Sequence, residues 1–330
     1  MSHSVQNDET NPLAFFLDLA PEMSDFRADT VSGLRARPRR LQPKYFYDER
    51  GSHLFEKICE TDEYYVTRTE LALLRDLAPQ LERHIRQGAT IVEYGAGASQ
   101  KIRTLLGGLP APARFIAVDI SGDHLQAALT PLAEEFPNIA VGGICADFTD
   151  PEALPIPGLE AGEPVLGFLP GSTIGNFAPE QASRFLAGAA RHLGQGNCLL
   201  IGADLQKDPA VLEAAYNDRA GVTAAFNLNL LYRINRELDG TIDPAAFEHR
   251  SLYNADLARV EMHLRAVEDH RFTVGEEGFS IAAGETIHTE NSHKYTVDGF
   301  QEIAQGAGFK PLDVWVDDRQ FFSVHLFEVV

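Results

Sequence analysis

Short apolar runs alternate with helical patterns between residues 67 and 207. Such an alternation predicts a parallel sheet whose strands are joined by crossover helices, and therefore an α/β, doubly wound fold. Strands buried on both faces of a sheet are continuously apolar rather than alternating. The runs of this kind are TIVEY (90–94), FIAVD (115–119), IAVGGIC (139–145), VLGFLPG (165–171) and CLLIGAD (198–204).

Residues that start and stop helices lie between these runs. Thr67 and Glu70 have the spacing of a capping box, which predicts that a helix begins there. Pro179 suits a first helical position, and Gly194 suits the residue that ends the same helix. Both helices are expected to cover a face of the sheet.

The alternation stops after Asp204. Asp208 and Pro209 predict a helix that runs to Tyr216, and VTAAFNLNLLYRINREL predicts another. Stretches of alternating polarity follow, and the chain ends in two predicted strands, FKPLDVWVDD and FFSVHLFEVV. We therefore predict a disordered tail (1–11), a substrate-binding domain (12–65 plus 208–290) and a core domain that carries the sheet (66–207 plus 291–330).

Charge and cysteine content exclude several classes of protein. The 330 residues include 28 basic and 48 acidic side chains, a formal charge of −20 that opposes nucleic-acid binding. The three cysteines lack CxxC spacing, so neither a disulfide framework nor a zinc site is expected. The chain shows neither a signal peptide nor a membrane-spanning run, which favours a protein of the cytoplasm.

Polar and glycine residues stand at the ends of three successive predicted strands. VEYGAGAS places Gly95 in a strand-to-helix turn, where a ligand can approach the backbone closely. Asp119 follows 26 positions after Glu93 and can accept both hydroxyls of a ribose, while Asp147 and Phe148 can hold an adenine. A single such acid is more often a helix cap or a solvated carboxylate. Three in succession favour a nucleotide-like ligand.

The GAGAS turn and the predicted antiparallel end of the sheet resemble class I S-adenosylmethionine-dependent methyltransferases. From about residue 40 onward the chain resembles the L-histidine Nα-methyltransferases of ergothioneine biosynthesis. The matching blocks include KYFYDERGSHLFEKICETDEYYVTRTE, VEYGAGASQKIRTLL, GSTIGNF, DLQKDPAVLEAAYNDRAGVTAAFNLNLL, RVEMHLRA and GETIHTENSHKY. The resemblance implies transfer of three methyl groups from S-adenosylmethionine to the α-amino nitrogen of L-histidine, giving hercynine and S-adenosylhomocysteine without a metal.

The family's functional positions can be carried to this sequence one by one. Those for the cofactor are Tyr47, Gly95, Lys101, Asp119, Asp147 and Phe148. Those for the amino acid are Tyr64, Gly171, Asn176, Tyr216, Met262, Glu290 and Ser292, with Tyr64 and Asn176 implied in catalysis. The sequence departs from the family's usual residues at Ala96 and Ala98, and at Asn291 and His293. The pattern leaves the oligomeric state open, with a monomer favoured.

The stretch HTENSHKY (288–295) carries two histidines around an acid, a combination that could bind a metal. In a strand, residues two apart share a face, so His288, Glu290 and Ser292 are expected together and His293 on the other side. The histidines are therefore not expected to converge on a metal. Glu290 and Ser292 are interpreted instead as two acceptors for the nitrogens of a neutral imidazole.

Two other functions fit parts of the pattern. One is a methyltransferase of the same fold that acts on tryptophan or another indole amino acid, for which an apolar wall would suit the ring better than Glu290. The other is a module that binds S-adenosylmethionine without transferring a methyl group. The tyrosine-rich stretch ETDEYY and the complete set of substrate positions argue against the second.

Overall fold

The computed structural model describes residues 12–19, 26–95, 100–158 and 162–330. The predicted tail at 1–11 lies outside these ranges. The chain divides into two compact units by its internal contacts. The first unit comprises residues 1–21, 68–205 and 295–330, and the second comprises residues 22–67 and 206–294.

Strands and helices occur in both units. The strands are β1 (Phe15–Asp18), β2 (Arg39–Arg40), β3 (Thr90–Tyr94), β4 (Arg114–Asp119), β5 (Ala140–Cys145), β6 (Val165–Leu169), β7 (Cys198–Asp204), β8 (Phe247–Asn254), β9 (Arg259–Ala266), β10 (His270–Val274), β11 (Glu277–Ile281), β12 (Thr286–His293), β13 (Phe309–Val316) and β14 (Phe322–Val329). The helices are α1 (Phe26–Arg35), α2 (Glu49–Glu60), α3 (Val66–Leu77), α4 (Gln100–Gly108), α5 (Gly122–Glu135), α6 (Pro179–Leu193), α7 (Pro209–Ala215), α8 (Val222–Leu238) and α9 (Val297–Gly306).

The first unit is built on one sheet with the order β1-β5-β4-β3-β6-β7-β14-β13. The strands from β1 to β7 in this order pair in parallel, whereas β14 pairs antiparallel with both β7 and β13. The five apolar runs form buried strands of this sheet. The predicted doubly wound α/β fold is confirmed, and so is its antiparallel end. The strand order reverses at β3, and ligands of such sheets bind at the carboxyl ends beside that point.

The second unit contains a four-stranded sheet with the order β2-β12-β9-β8 and the hairpin β10-β11. Helix α8 packs on this sheet and buries Phe226, Leu230 and Ile234. The predicted start of α7 is confirmed, because the Asp208 side chain accepts a hydrogen bond from the Ala210 amide and Pro209 opens the helix.

Two details differ from the sequence-based expectations. Residues 12–65 were expected in the substrate-binding domain, yet Phe15–Asp18 pairs with β5 at the edge of the large sheet. A four-residue edge strand is held by pairing with a distant strand, which a local pattern does not reveal. The capping box at Thr67 and Glu70 is also wrong, because α3 begins at Val66 and the Glu70 carboxylate is fully buried against other partners.

Candidate active site

In the first unit, Gly95 forms the turn that follows β3. Its φ of +78° lies in the left-handed region, which favours glycine, and a Cβ added there would meet the Phe148 ring at 3.1 Å. Phe148, after β5, is therefore packed against the Gly95 backbone at the carboxyl edge of the sheet. Ala96 and Ala98, where the sequence departs from the family, lie outside the described residues.

The two predicted acids end neighbouring strands. Asp119 closes β4, and its Oδ1 accepts the Ser121 amide at 3.0 Å. Asp147 follows β5, and its Oδ1 accepts the Thr149 amide at 2.9 Å. Burial raises the pKa of Asp119 above its usual range. Each acid is thus fixed by a local turn at the edge where a nucleotide-like ligand binds.

Glu93 is a buried acid on β3, next to this edge. Neither of its carboxylate oxygens has a hydrogen-bond partner among the described residues. Burial raises the pKa of Glu93 well above its usual range, although the nearby Lys101 ammonium offsets part of the effect. An unsatisfied buried carboxyl group is costly unless a ligand supplies a partner. Glu93 therefore fits the cationic portion of a cofactor. Together with Gly95, Asp119 and Phe148, it forms a group of residues that suits a cofactor with an aromatic base and ribose hydroxyls as well.

Glu70 organises the loop after β6, a role that its local sequence does not indicate. Its carboxylate accepts the Gly171 amide at 2.9 and 3.0 Å and lies 2.7 Å from the Lys101 ammonium. Lys101 in turn lies close to Gly171, since a Cβ added to that glycine would be 3.1 Å from Lys101 Nζ. The predicted cofactor residue Lys101 and the predicted substrate residue Gly171 are therefore brought together by a third side chain. Because the Gly171 amide already donates to Glu70, it is the Gly171 carbonyl that remains for a ligand.

Asn176 lies close to this loop in the chain, at the end of the short 3-10 turn Thr173–Asn176. The loop is held to β7 by Ser172, whose Oγ accepts the Asp204 amide at 2.9 Å. Asn176 is half-buried. The contact between Asn176 and the substrate remains a prediction from the sequence.

In the second unit, two predicted substrate tyrosines share one aromatic cluster. The rings of Tyr64 and Tyr216 lie edge to face with centroids 6.2 Å apart, and Phe55 packs on Tyr64 in the same way at 6.3 Å. Burial raises the pKa of the Tyr64 phenol well above its usual range. Tyr64 is therefore a neutral phenol at physiological pH, a hydrogen-bonding group rather than a base. Tyr47, predicted to contact the cofactor, packs at 5.7 Å on Phe55 in this cluster.

Glu290 on β12 lies directly opposite Met262 on β9. Met262 is buried, and burial raises the pKa of Glu290 to about 7, while the Lys294 ammonium acts in the opposite direction. Glu290 thus changes charge near neutral pH. The Glu290 carboxyl group can accept a hydrogen bond from a ring, and the Met262 thioether next to it can contact the face of the same ring.

Ser292, two residues further along β12, is tied to Tyr216. The Tyr216 hydroxyl donates to Ser292 Oγ at 2.7 Å, and the Lys294 ammonium donates to both oxygens, at 3.1 Å and 2.8 Å respectively. Lys294 is 2% exposed and was not predicted as a site residue. The sequence feature that could have indicated Lys294 is its position in HTENSHKY, two residues after Ser292 and therefore on the same face of the strand. The second unit thus brings together Tyr64 with Tyr216, Tyr216 with Ser292, and Glu290 with Met262.

The expectation that His288 shares a face with Glu290 is wrong. A β-bulge lies between them, so that His288 pairs with His263 whereas Glu290 pairs with Met262, the neighbour of His263. Residues directly opposite each other share a face and neighbours alternate, so the extra residue, Thr289, moves His288 to the other side.

On that other side, His288 lies with Glu261 and His263, whose potential ligand atoms fall within 4.8 Å of one another. The His263 and His288 rings are stacked at 4.8 Å, and Glu261 accepts hydrogen bonds from Arg259 and Asn254. The Arg259 guanidinium forms an ion pair with Glu261 at 2.7 Å. His293 lies opposite Arg259, which shares a face with Glu261 and His263, so the expectation that His288 and His293 point to opposite sides is also wrong. Among the described residues, His293 is nevertheless not one of the three whose ligand atoms converge.

The parallel sheet with its antiparallel end, the glycine turn after β3 and the acids at the next strand ends define a class I S-adenosylmethionine-dependent methyltransferase. The profile of one family in this class, described as histidine-specific methyltransferase, SAM-dependent, matches residues 26–329. The chain belongs to this family, and the resemblance predicted from the sequence is confirmed.

Named relatives of the chain agree with this placement. The chain is 38% identical over 323 residues to a histidine N-alpha-methyltransferase of Mycolicibacterium smegmatis, covering 96% of this chain and 99% of that protein. A protein of the same name from Mycobacterium tuberculosis is 38% identical over 91% of this chain and 94% of its own length. An ergothioneine biosynthesis protein 1 of Neurospora crassa is 30% identical over 88% of this chain and 33% of its own length.

Among the residues that the structure describes, no helix combines the length and the apolar character needed to cross a bilayer.

Proposed function

We propose that this chain transfers methyl groups from S-adenosylmethionine to the α-amino nitrogen of L-histidine, three in succession, giving hercynine in the first step of ergothioneine biosynthesis. The observation that carries the proposal is the grouping of Glu290, Ser292, Tyr216 and Tyr64 in the second unit, which offers polar contacts for a ring and aromatic contacts for an amine. Membership of the histidine-specific family supports the substrate.

Glu290 would recognise the imidazole ring. A carboxylate accepts a hydrogen bond from the ring N–H, and Met262 directly across the sheet offers the ring an apolar contact. Because the pKa of Glu290 is about 7, its ionised form is present at and above neutral pH. An indole has one N–H and no acceptor nitrogen, so the pair Glu290 and Ser292 suits it less well than it suits an imidazole.

Tyr64 would hold the α-amino group. An unperturbed α-amino group has a pKa near 8 and is therefore partly neutral at working pH, so the reaction needs no strong base. The raised pKa of Tyr64 keeps its phenol protonated, which suits a hydrogen bond to the amine. The tyrosine faces would also favour the ammonium that forms, by roughly 0.5 to 2 kcal/mol.

The cofactor would be held in the first unit. When bound, S-adenosylmethionine supplies a methyl group on a cationic sulfur. Asp119 would accept the ribose hydroxyls, Phe148 would stack on the adenine, and Asp147 would bind its edge. Gly95 would let the cofactor approach the backbone. Lys101, Tyr47 and Asn176 keep the roles predicted for them, contact with the cofactor for the first two and with the amino acid for Asn176.

The deciding experiment is a transfer assay with purified protein. We expect that, with S-adenosylmethionine and each of the twenty amino acids in separate reactions, mass spectrometry will find gains of one, two and three methyl groups on L-histidine. Histidine that remains unmodified would contradict the proposal. Methylation of tryptophan in its place would support the indole alternative. Tight binding of S-adenosylmethionine with no transfer to any amino acid would support the non-catalytic module.

We further propose that the chain acts in the cytoplasm as a monomer. Among the described residues, Cys59, Cys145 and Cys198 are not joined in disulfides, which is usual for proteins kept in a reducing compartment. Light scattering coupled to size exclusion checks the monomer, for which the expected mass is 36.3 kDa. Twice that mass would show a dimer.

A further inference from the structure

Three polar atoms of the second unit form a closed triangle. Lys294 Nζ lies 2.8 Å from Ser292 Oγ and 3.1 Å from the Tyr216 hydroxyl, and the two oxygens are 2.7 Å apart. Lys294 Nζ also lies 4.8 Å from the centre of the Tyr216 ring. Lys294 and Ser292 are 2% and 3% exposed, so water does not compete freely for these bonds.

The hydrogen atoms of this triangle can be assigned from chemistry. An ammonium group has donors only, so Lys294 donates to both hydroxyl oxygens. A phenol is a stronger acid than an aliphatic alcohol, so in the remaining bond Tyr216 is the better donor and Ser292 the better acceptor. Ser292 Oγ then accepts two hydrogen bonds, which uses both of its lone pairs. Its own hydroxyl hydrogen is left to donate, and no described residue accepts it.

We propose that Lys294 is a specificity-determining residue that fixes the Ser292 hydroxyl as a hydrogen-bond donor, so that Ser292 and Glu290 together select a neutral imidazole. This inference rests on the function proposed above. A neutral imidazole has one N–H and one acceptor nitrogen, which matches one acceptor, Glu290, and one donor, Ser292. The earlier interpretation of two acceptors would instead suit the doubly protonated imidazolium.

The charges around the triangle also favour a neutral imidazole over an imidazolium. A ring nitrogen that accepts from Ser292 lies near the Lys294 ammonium, which repels an imidazolium but not a neutral ring. Two further titratable groups among the described residues contact Tyr216: Tyr64, whose ring packs on it, and His249, whose Nε2 donates to the Tyr216 carbonyl at 2.8 Å. Tyr64 is neutral because burial raises its pKa, and burial lowers the pKa of His249. Lys294 is thus the cation on the Ser292 side, and Glu290 is the matching acid.

The test compares L-histidine with the two pyrrolylalanines, in which the 2-pyrrolyl or 3-pyrrolyl ring keeps one N–H and replaces the other nitrogen by C–H. At about pH 8 the imidazole is neutral, and all three rings then carry no charge. Loss of the acceptor nitrogen leaves the Ser292 hydrogen unpaired. We therefore expect kcat/KM for the better pyrrolylalanine to be about 10- to 100-fold below that for histidine.

The variant Lys294→Met removes the donor that orients Ser292, so the serine hydrogen can turn toward Tyr216. We expect the ratio of kcat/KM for histidine to that for the better pyrrolylalanine to fall to within about fivefold. Lys294→Arg keeps a donor and should retain the wild-type ratio, and Ser292→Ala should lose it. A ratio between two substrates is unaffected by a general loss of stability, which circular dichroism would monitor in each variant.

The outcomes separate this inference from the function on which it rests. A wild-type protein that methylates histidine and the better pyrrolylalanine equally well overturns the role of Ser292 as donor, whether or not the variants fold. A Lys294→Met protein that keeps the full ratio overturns the role of Lys294. A wild-type protein that methylates none of the three amino acids overturns the proposed function, and this inference with it.

Discussion

Met262 and Glu290 lie directly opposite each other on β9 and β12, so that a buried thioether and a carboxyl group with a pKa of about 7 share one face of the sheet. The bulge at Thr289 sets this pairing. Thr289 itself is anchored on that face, because its hydroxyl donates to Asn227 Oδ1 at 2.8 Å and lies 3.1 Å from the Met262 carbonyl oxygen. The position of Glu290 is therefore set in part by the bulge and by the hydrogen bond between Thr289 and Asn227.

Replacing Glu290 tests its role in recognition of the ring. Glu290→Gln keeps the shape and removes the charge, and a hydrogen bond to a charged group is worth about 1.5 to 3 kcal/mol. We expect kcat/KM for histidine to fall by about 10- to 150-fold in Glu290→Gln, and further in Glu290→Ala, as steady-state kinetics would measure.

Binding of S-adenosylmethionine, measured by calorimetry, should be unchanged in both variants, because the cofactor residues at the strand ends belong to the first unit. Glu248→Gln is a suitable control, since Glu248 is exposed on β8 and pairs with Arg265. Retention of wild-type kcat/KM in Glu290→Ala would contradict the assignment.

The same residue predicts a pH-dependent effect on stability. The pKa of Glu290 is about 7 in the folded protein, against a usual value of 4.5. Because the folded state holds this proton more tightly than the unfolded state, stability is fully present below about pH 4.5 and is lost as pH rises through 7. The difference between these two pKa values corresponds to a loss of roughly 3 kcal/mol in the free energy of unfolding, as an upper bound.

Glu290→Gln carries no proton to lose and avoids this cost. In urea unfolding without ligand, we expect the variant to be more stable than the wild type by about 1 to 3 kcal/mol at pH 8, and equal to it near pH 4.5. A variant that is less stable at pH 8 would show that the Glu290 carboxylate is favourably paired in the folded state.

Regular elements of this fold could be predicted from the sequence because their signals are local. Strands such as Cys198–Asp204 are continuous apolar runs, and α7 begins where Asp208 and Pro209 indicate. The strand ends then place Gly95 and Asp119 at one edge of the sheet by topology alone.

Features that depend on distant contacts could not be read in this way. Thr67 and Glu70 match a capping box in spacing. The Glu70 carboxylate instead pairs with Lys101 and accepts the amide of Gly171, which lies 101 residues further along the chain. The bulge between His288 and Glu290 changes the face of a side chain without any glycine or proline to mark it. Lys294 was missed because its role depends on Tyr216, which comes from another segment.

Gly95 is expected to be intolerant of any side chain. Its φ of +78° costs an L-residue about 1 to 3 kcal/mol, and the new Cβ would press on the Phe148 ring at 3.1 Å. If Gly95 and Phe148 hold the cofactor, Gly95→Ala should weaken S-adenosylmethionine binding by about tenfold or more, as calorimetry would measure. In the control Gly107→Ala, the new methyl group on α4 has no atom within 4 Å, so affinity should not change. An equal loss of S-adenosylmethionine affinity in the two variants would contradict a specific role of the Gly95 turn in cofactor binding.

The buried pair of Glu70 and Lys101 predicts strong non-additivity. Glu70 is fully buried, and its carboxylate lies 2.7 Å from Lys101 Nζ, so removing either partner leaves a buried charge without its counterion. Breaking such a pair costs about 3 to 5 kcal/mol, whereas replacing both partners can be close to neutral. We expect Glu70→Gln and Lys101→Met each to lower the free energy of unfolding by about 2 to 5 kcal/mol in urea titrations.

The double variant Glu70→Gln with Lys101→Met should be more stable than the sum of the single changes implies, because the glutamine can still accept the Gly171 amide and no buried charge remains. Arg103→Met provides a matched control, since Arg103 pairs with Glu135 at the surface of the same unit and should cost less than about 1 kcal/mol. Additive effects, or single changes no larger than that control, would show that the pair does not stabilise the loop. The predicted role of Lys101 adds a second readout: S-adenosylmethionine affinity should fall in Lys101→Met and stay low in the double variant, because restored stability does not restore the ammonium.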